Sequence, residues 1–258
     1  MAGFLILGHV VKKIVIAAHK GGSGKTTVAV NLAGALAAHG LRVLLVDTDP
    51  QGACAAALGI QVEKPTLYEV LLGQSQRHEA ITGTGVSGLS LLPSDLDLAG
   101  AEVELPRFAN WQQRLNEVLV SLESVCDVAI IDTPPGLGVL SYSALNAATG
   151  ALVVCPPEFM AFRALPHLQE MTERAGVPLM GIVPTMATGT TRHAREVLEQ
   201  LDTQYRALLL PAIPRRVALQ DAALAGLPIT EFEPSSDVAE RFRALAQEVL
   251  DRGKNLAA

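Results

Sequence analysis

Aromatic side chains make up only 4% of this 258-residue chain, with a single tryptophan, and there are three cysteines. Cys54, Cys126 and Cys155 are widely separated and odd in number. That excludes a disulfide framework and a CxxC metal pair, and it suits buried thiols in a reducing compartment. Long apolar runs are also missing: stretches such as Ala151 to Cys155 fall far short of the roughly 20 residues that a membrane span needs. The opening MAGFLILGHV is followed, not preceded, by Lys12 and Lys13 and has no small-residue cleavage site. It therefore reads as a first strand or arm and not as a signal. Positive charge is not in excess either. A formal charge of −6 excludes a cation-coated protein and leaves any nucleic-acid contact to local patches.

What is present describes a globular, folded chain. Hydrophobic residues account for 49% and charged residues for 18%, far from a disordered composition. The length suits one substantial core, so residues 1–258 are expected to form one domain. Continuous apolar runs at Ile14 to Ala18, Val43 to Asp47, Leu89 to Pro93, Val128 to Asp132, Ala151 to Cys155 and Leu179 to Pro184 read as buried strands. Helical patterns lie between most of them, such as Thr27 to His39, closed by Gly40. The alternation predicts an α/β fold, a mostly parallel central sheet with helices on both faces. Gln74 to Gly88 reads as a surface connection.

The most informative segment is His19-Lys20-Gly21-Gly22-Ser23-Gly24-Lys25-Thr26-Thr27, between the first strand and the first helix. Glycines at 21, 22 and 24 let backbone N–H groups close around phosphate oxygens, and the helix adds its positive N-terminal end. Lys25 supplies compensating charge, Thr26 stands where a hydroxyl coordinates Mg²⁺ between the β- and γ-phosphates, and Thr27 reaches the α-phosphate. Two acidic strand ends accompany the loop. Asp47 and Asp49 lie in Val46-Asp47-Thr48-Asp49-Pro50-Gln51-Gly52, and Asp132 closes Val128-Ala129-Ile130-Ile131-Asp132 ahead of Thr133-Pro134-Pro135-Gly136. An acid beside the loop holds Mg²⁺ directly or through water.

The second lysine, Lys20, and the histidine in the first glycine position depart from GxxxxGK[ST] and match KGGxGKT[ST] instead. This motif, the DxDPQG-like segment and the IIDTPPGLG run resemble the deviant Walker A ATPases, a family of P-loop NTPases that includes ParA/Soj, MinD and the nitrogenase iron protein. The resemblance implies a magnesium-dependent ATPase, slow unless stimulated. Lys20 would reach the partner's phosphates in an ATP-dependent homodimer, Asp49 would orient or activate the attacking water, Asp47 would support the magnesium shell or its loop, and Asp132 would act as the Walker B magnesium residue. The Pro-Pro-Gly stretch resembles a switch that moves with the γ-phosphate.

Within that family the segment IPRRVALQDAALAGLPI at 213–229 resembles the ParA/Soj branch, together with VPTM at 183–186. Pro214 is then expected against the adenine. Arg216 replaces an expected asparagine and either stacks on the base or faces DNA. The ParA/Soj resemblance implies non-specific DNA binding, chromosome or plasmid partition, a ParB-like stimulating protein and a cytoplasmic, nucleoid-associated location. Arg192, Arg195, Arg206, Arg215 and Arg216 make residues 192–216 locally positive, and Arg192, Arg195, Arg215 and Arg216 are the candidate DNA contacts, although arginines alternating with acids also describe a solvated helix face. The MinD-like alternative, a positioning ATPase acting through membrane or protein contacts, expects a basic amphipathic C-terminal helix. AERFRALAQEVLDRGKNLAA is interspersed with acids and poor in bulky apolar residues, so membrane docking is not expected. Cys126 lacks the surroundings of a cluster ligand, which removes iron–sulfur chemistry. Biosynthetic amidoligases are expected to need more chain.

Overall fold

The computed structural model describes residues 12–122, 124–136, 138–189 and 191–255. The opening MAGFLILGHV, read as a strand or arm, lies outside them. Seven strands form one sheet: β1 Lys12–Ala17, β2 Val43–Asp47, β3 Thr82–Gly83, β4 Leu89–Leu92, β5 Val128–Asp132, β6 Gly150–Cys155 and β7 Leu179–Pro184. Their order is β3-β4-β2-β5-β1-β6-β7, and every pairing is parallel except β3 with β4. Six of these strands are the runs read from the sequence. The seventh, β3, lies inside the segment expected to be a surface connection. Two residues carry no periodic signal, and this strand is held by its pairing to β4.

Twelve α-helices accompany the strands among the described residues: α1 Lys25–Ala38, α2 Ala53–Ala57, α3 Leu67–Leu72, α4 Ala101–Glu104, α5 Arg114–Val120, α6 Val139–Ala147, α7 Phe159–Arg163, α8 Leu165–Arg174, α9 Arg192–Tyr205, α10 Val217–Leu224, α11 Ile229–Phe232 and α12 Asp237–Asn255. One sheet face is covered by α1, α2 and α10 to α12, the other by α3 to α6, while α7 to α9 pack on the β6–β7 edge. Both faces are therefore dry, which is why the central strands are apolar throughout and do not alternate.

α1 is buried nearly all round, a helix sunk between the sheet and α12. Its partner α12 turns Val238, Ala239, Phe242, Leu245, Ala246 and Val249 inward at helical spacing, all almost wholly buried. The apolar stripe of the C-terminal helix is thus committed to the core. No helix among the described residues is long and apolar enough to cross a membrane.

The turn Gly226-Leu227-Pro228 locks α1 in place. The Asn31 side chain donates to the Thr27 carbonyl at 2.8 Å and accepts the Ile229 N–H at 2.7 Å, bridging the first helix to the residue after the turn. Pro228 then packs on Gly34 so closely that a Cβ at Gly34 would meet the proline ring at 2.5 Å. A segment expected to mark the ParA/Soj branch of the family is thereby also part of the packing that fixes α1.

Candidate nucleotide site

β1, β2 and β5 are neighbours, and their register pairs Asp47 with Asp132 and Asp132 with Ile16. Three strand ends therefore finish level with one another, where open α/β sheets bind ligands. The loop from β1 to α1 rises from this edge. Gly22 and Gly24 have φ of +71° and +93°, a region open mainly to glycine, and Gly24 is the N-cap of α1 with no side chain to satisfy the first amides. Those amides are free to meet an anion. The loop is pinned from below: buried Ser23 donates through its hydroxyl to the Lys20 carbonyl at 3.0 Å, and the Ser23 carbonyl accepts the Thr185 hydroxyl at 2.8 Å.

Beneath the loop lies a buried charged cluster. Lys25 is only 6% exposed. Burial pulls its pKa down, while the carboxylates of Asp132 and Asp49 act in the opposite sense. Asp47 and Asp132 are both fully buried, and burial pushes both carboxyls up. Asp47 spends its oxygens on the following loop, accepting N–H groups from Cys54 and Asp49, each at 3.0 Å. Asp132 accepts the Thr26 hydroxyl at 2.6 Å and the Cys54 thiol at 3.5 Å on Oδ2, whereas its buried Oδ1 has no partner. An orphaned carboxylate oxygen costs free energy if left unpaired. A divalent cation beside Thr26 and Asp132 fits it, because the site offers hard oxygens and excess negative charge.

Asp49 sits half-buried on the loop after β2. One of its carboxylate oxygens accepts the Gln51 N–H at 3.0 Å, and its carbonyl accepts the Ser94 hydroxyl at 2.5 Å. The loop after β5 is held at its root by the Thr133 hydroxyl, which donates to the Ile16 carbonyl at 2.8 Å. Its Pro135 lies against Gly21, with a Cβ at Gly21 falling 3.7 Å from the proline Cβ. Lys25, Thr26, Asp49 and Asp132 are thus brought to one place.

Other expected residues are engaged elsewhere. Lys20 forms an ion pair with Glu158 of its own chain, just ahead of α7, where Phe159 and Met160 are 52% and 61% exposed. Pro214 follows Ile213, which bridges to Thr185 and so ties its segment to the phosphate loop. Arg216 turns to Asp237 at the start of α12, at 2.6 Å. On α9, Arg192 pairs with Glu196 at 2.7 Å, and just past its end Arg206 approaches Asp202 at 4.0 Å. Exposed Arg195 and Arg215 have no ion-pair partner among the described residues. The sequence reading missed Glu158 and Ser94, and took Cys54 only as a buried thiol. A carboxylate at the end of β6 was a usable signal for Glu158. Nothing local announces Ser94, whose partner is 45 residues away.

A family model described as an AAA domain matches residues 11–177. The chromosome partitioning protein ParA of Caulobacter vibrioides (strain NA1000 / CB15N) is 35% identical over 253 residues, covering 94% of this chain and 95% of the relative. The chromosome-partitioning ATPase Soj of Thermus thermophilus is 39% identical, with 94% and 96% covered. Among solved structures, the septum site-determining protein MinD of Pyrococcus horikoshii complexed with Mg-ADP superposes with a TM-score of 0.81 at 28% identity, with 96% of this chain and 99% of that one covered. A structure named cobyrinic acid a,c-diamide synthase from Mycobacterium smegmatis, with bound ATP analog and magnesium, gives 0.81 at 34% identity and coverages of 95% and 96%. Chain length therefore does not separate a biosynthetic synthase from a partition ATPase, contrary to the expectation from length. The end-to-end relatedness to ParA and Soj proteins, over a sheet and phosphate loop of this form, places the chain in the ParA/Soj family of P-loop partition ATPases.

Proposed function

We propose that this ATPase is a nucleotide-driven switch that closes into a homodimer on ATP and binds DNA without sequence preference in that state. The observation that carries the reading is the convergence of Lys25, Thr26, Asp49 and Asp132 beneath a glycine loop that opens onto the first amides of α1. In this reading Gly21 to Gly24 and Thr27 bind the phosphates through backbone and hydroxyl groups, and Lys25 neutralises them. Thr26, Asp132 and, through water, Asp49 would hold Mg²⁺, which when bound offsets the negative charge of the β- and γ-phosphates. Asp49 orients the attacking water, whose oxygen bonds to the γ-phosphorus as the bond to the β-phosphate oxygen breaks. Pro214 flanks the adenine.

Lys20 acts in the partner subunit's site and must first leave Glu158. Both side chains of that pair are more than two-fifths exposed, so parting them costs little, within the 0 to about 1 kcal/mol of surface ion pairs. The exposed Phe159 and Met160 beside Glu158 give the closing face apolar area to bury. For DNA, Arg195 and Arg215 are the better-placed cations, since Arg192 and Arg216 already hold carboxylates. A partner resembling ParB would stimulate turnover and so release the DNA. The apolar stripe of α12 is buried in the core, which supports DNA over a membrane surface as the partner.

Cosedimentation with DNA and with anionic liposomes, with no nucleotide, ADP and ATP, tests this. The expected result is binding to DNA only with ATP, retained by Asp49→Ala, lost by Lys20→Ala, and falling with a log–log salt slope of about −0.9 per phosphate contact. Pelleting with liposomes but not with DNA would transfer the protein to the membrane-positioning class.

A further inference from the structure

A third segment, residues 93–104, touches both the loop after β2 and the start of the helix that follows the loop after β5. At one end, buried Ser94 donates its hydroxyl to the Asp49 carbonyl at 2.5 Å. The fit there is close, because a Cβ at Gly52 would fall 3.3 Å from the Ser94 carbonyl oxygen. At the other end, the Glu102 carboxylate accepts the N–H groups of Val139 at 2.7 Å and Leu140 at 3.3 Å, the first two amides of α6 and the direct continuation of the loop after Asp132. A Cβ at Gly138 would lie 2.6 Å from a Glu102 oxygen, so the carboxylate and the helix start leave each other no space.

Between these ends the segment is anchored in the core. Leu98 and Ala101 are completely buried, and the Asp95 carboxylate closes the intervening turn by accepting the Asp97 N–H at 3.1 Å. A carboxylate on the N-terminal amides of a helix is a strong, charge-assisted contact that also suits the helix dipole. It makes the position of α6, and hence the end of the second loop, depend on where α4 sits.

We propose that Ser94 and Glu102 are positioning residues at the two ends of one strut, which makes the Asp49 loop and the start of α6 at Gly138 to Leu140 move as a unit. A change at either end is then carried to the other through packed side chains and not only through the nucleotide between them. The proposal rests on reading the loops at those ends as the nucleotide-responsive ones, and its consequence is a specific one. The water-orienting residue and the start of α6 are kept in register even before ATP arrives.

Amide hydrogen exchange on the full chain without nucleotide tests the strut independently of any ATPase activity. Glu102→Ala is expected to speed exchange about tenfold at Val139 and Leu140, and also at Gln51 to Cys54 beyond the far end of the strut. Ser94→Ala is expected to do the same in reverse, and Glu102→Gln, which keeps an acceptor oxygen, to restore most of the protection. In steady-state ATP hydrolysis Glu102→Ala should lower kcat severalfold with KM within about twofold, and the Ser94→Ala, Glu102→Ala double variant should lose no more than the worse single one. Faster exchange confined to residues 139–142, or single-variant losses in kcat that simply multiply, would overturn the strut. A wild-type chain that does not hydrolyse ATP would instead overturn the nucleotide reading and leave the exchange result to decide the strut.

Discussion

Lys25→Ala is expected to lose ATP turnover by about 10³-fold or more, the scale set by removing a cation that faces the charge developing in phosphoryl transfer. The reason lies in the charge balance of the buried cluster. Asp47, Asp49 and Asp132 converge on this edge of the sheet, and Lys25 is a buried cation that acts on Asp132 and Asp49. A triphosphate brought into that setting adds further negative charge, so without the lysine both binding and transition-state stabilisation fall. Lys25→Arg is expected to fail as well. A planar guanidinium is wider than an ammonium, and the position is only 6% exposed. Phosphate release and fluorescent-nucleotide titration would check both effects. Wild-type turnover by Lys25→Ala would remove the phosphate loop from the chemistry.

Gly34→Val is expected to be among the most damaging single substitutions to stability, costing about 3 kcal/mol or more, or roughly 6 to 12 °C in Tm. A side chain here has nowhere to go. The Cβ alone would meet Pro228 Cβ at 2.5 Å and Cγ at 2.7 Å, and a proline ring cannot swing aside as a flexible side chain can. Relief would require α1 to move off the 226–229 turn, which breaks the Ile229 N–H bond to Asn31 at 2.7 Å and leaves a buried donor unpaired. Because Lys25 and Thr26 open the same helix, nucleotide affinity should fall along with stability. Urea unfolding of the two proteins would measure the difference, with Gly34→Ala falling between them.

The parts of the molecule that repeat a local rule were legible in the sequence. Six strands could be read because both sheet faces are covered and the strands are apolar throughout, and α1 because a glycine loop precedes it and Gly40 closes it in the left-handed region. The convergence of Lys25, Thr26 and Asp132 could be expected from a loop and a carboxylate at adjacent strand ends. Other features depend on which distant residues meet. Glu158 takes Lys20 across 138 positions, and Glu102 reaches the start of α6 from 37 positions away. Arg216, expected either on adenine or on DNA, also holds Asp237, a pairing set by where α12 begins. Gly34 illustrates the same limit. Mid-helix glycine looks like a weakness in a sequence, and only the position of Pro228 gives it a reason.

The most direct measurement of the switch is the molar mass of the protein in solution, by light scattering behind size exclusion, for wild type, Asp49→Ala and Lys20→Ala with magnesium and either ADP or ATP. The account predicts a monomer with ADP, a stable dimer of Asp49→Ala with ATP, and no ATP-dependent dimer of Lys20→Ala. A mass that is the same with ADP and ATP in all three proteins would contradict it.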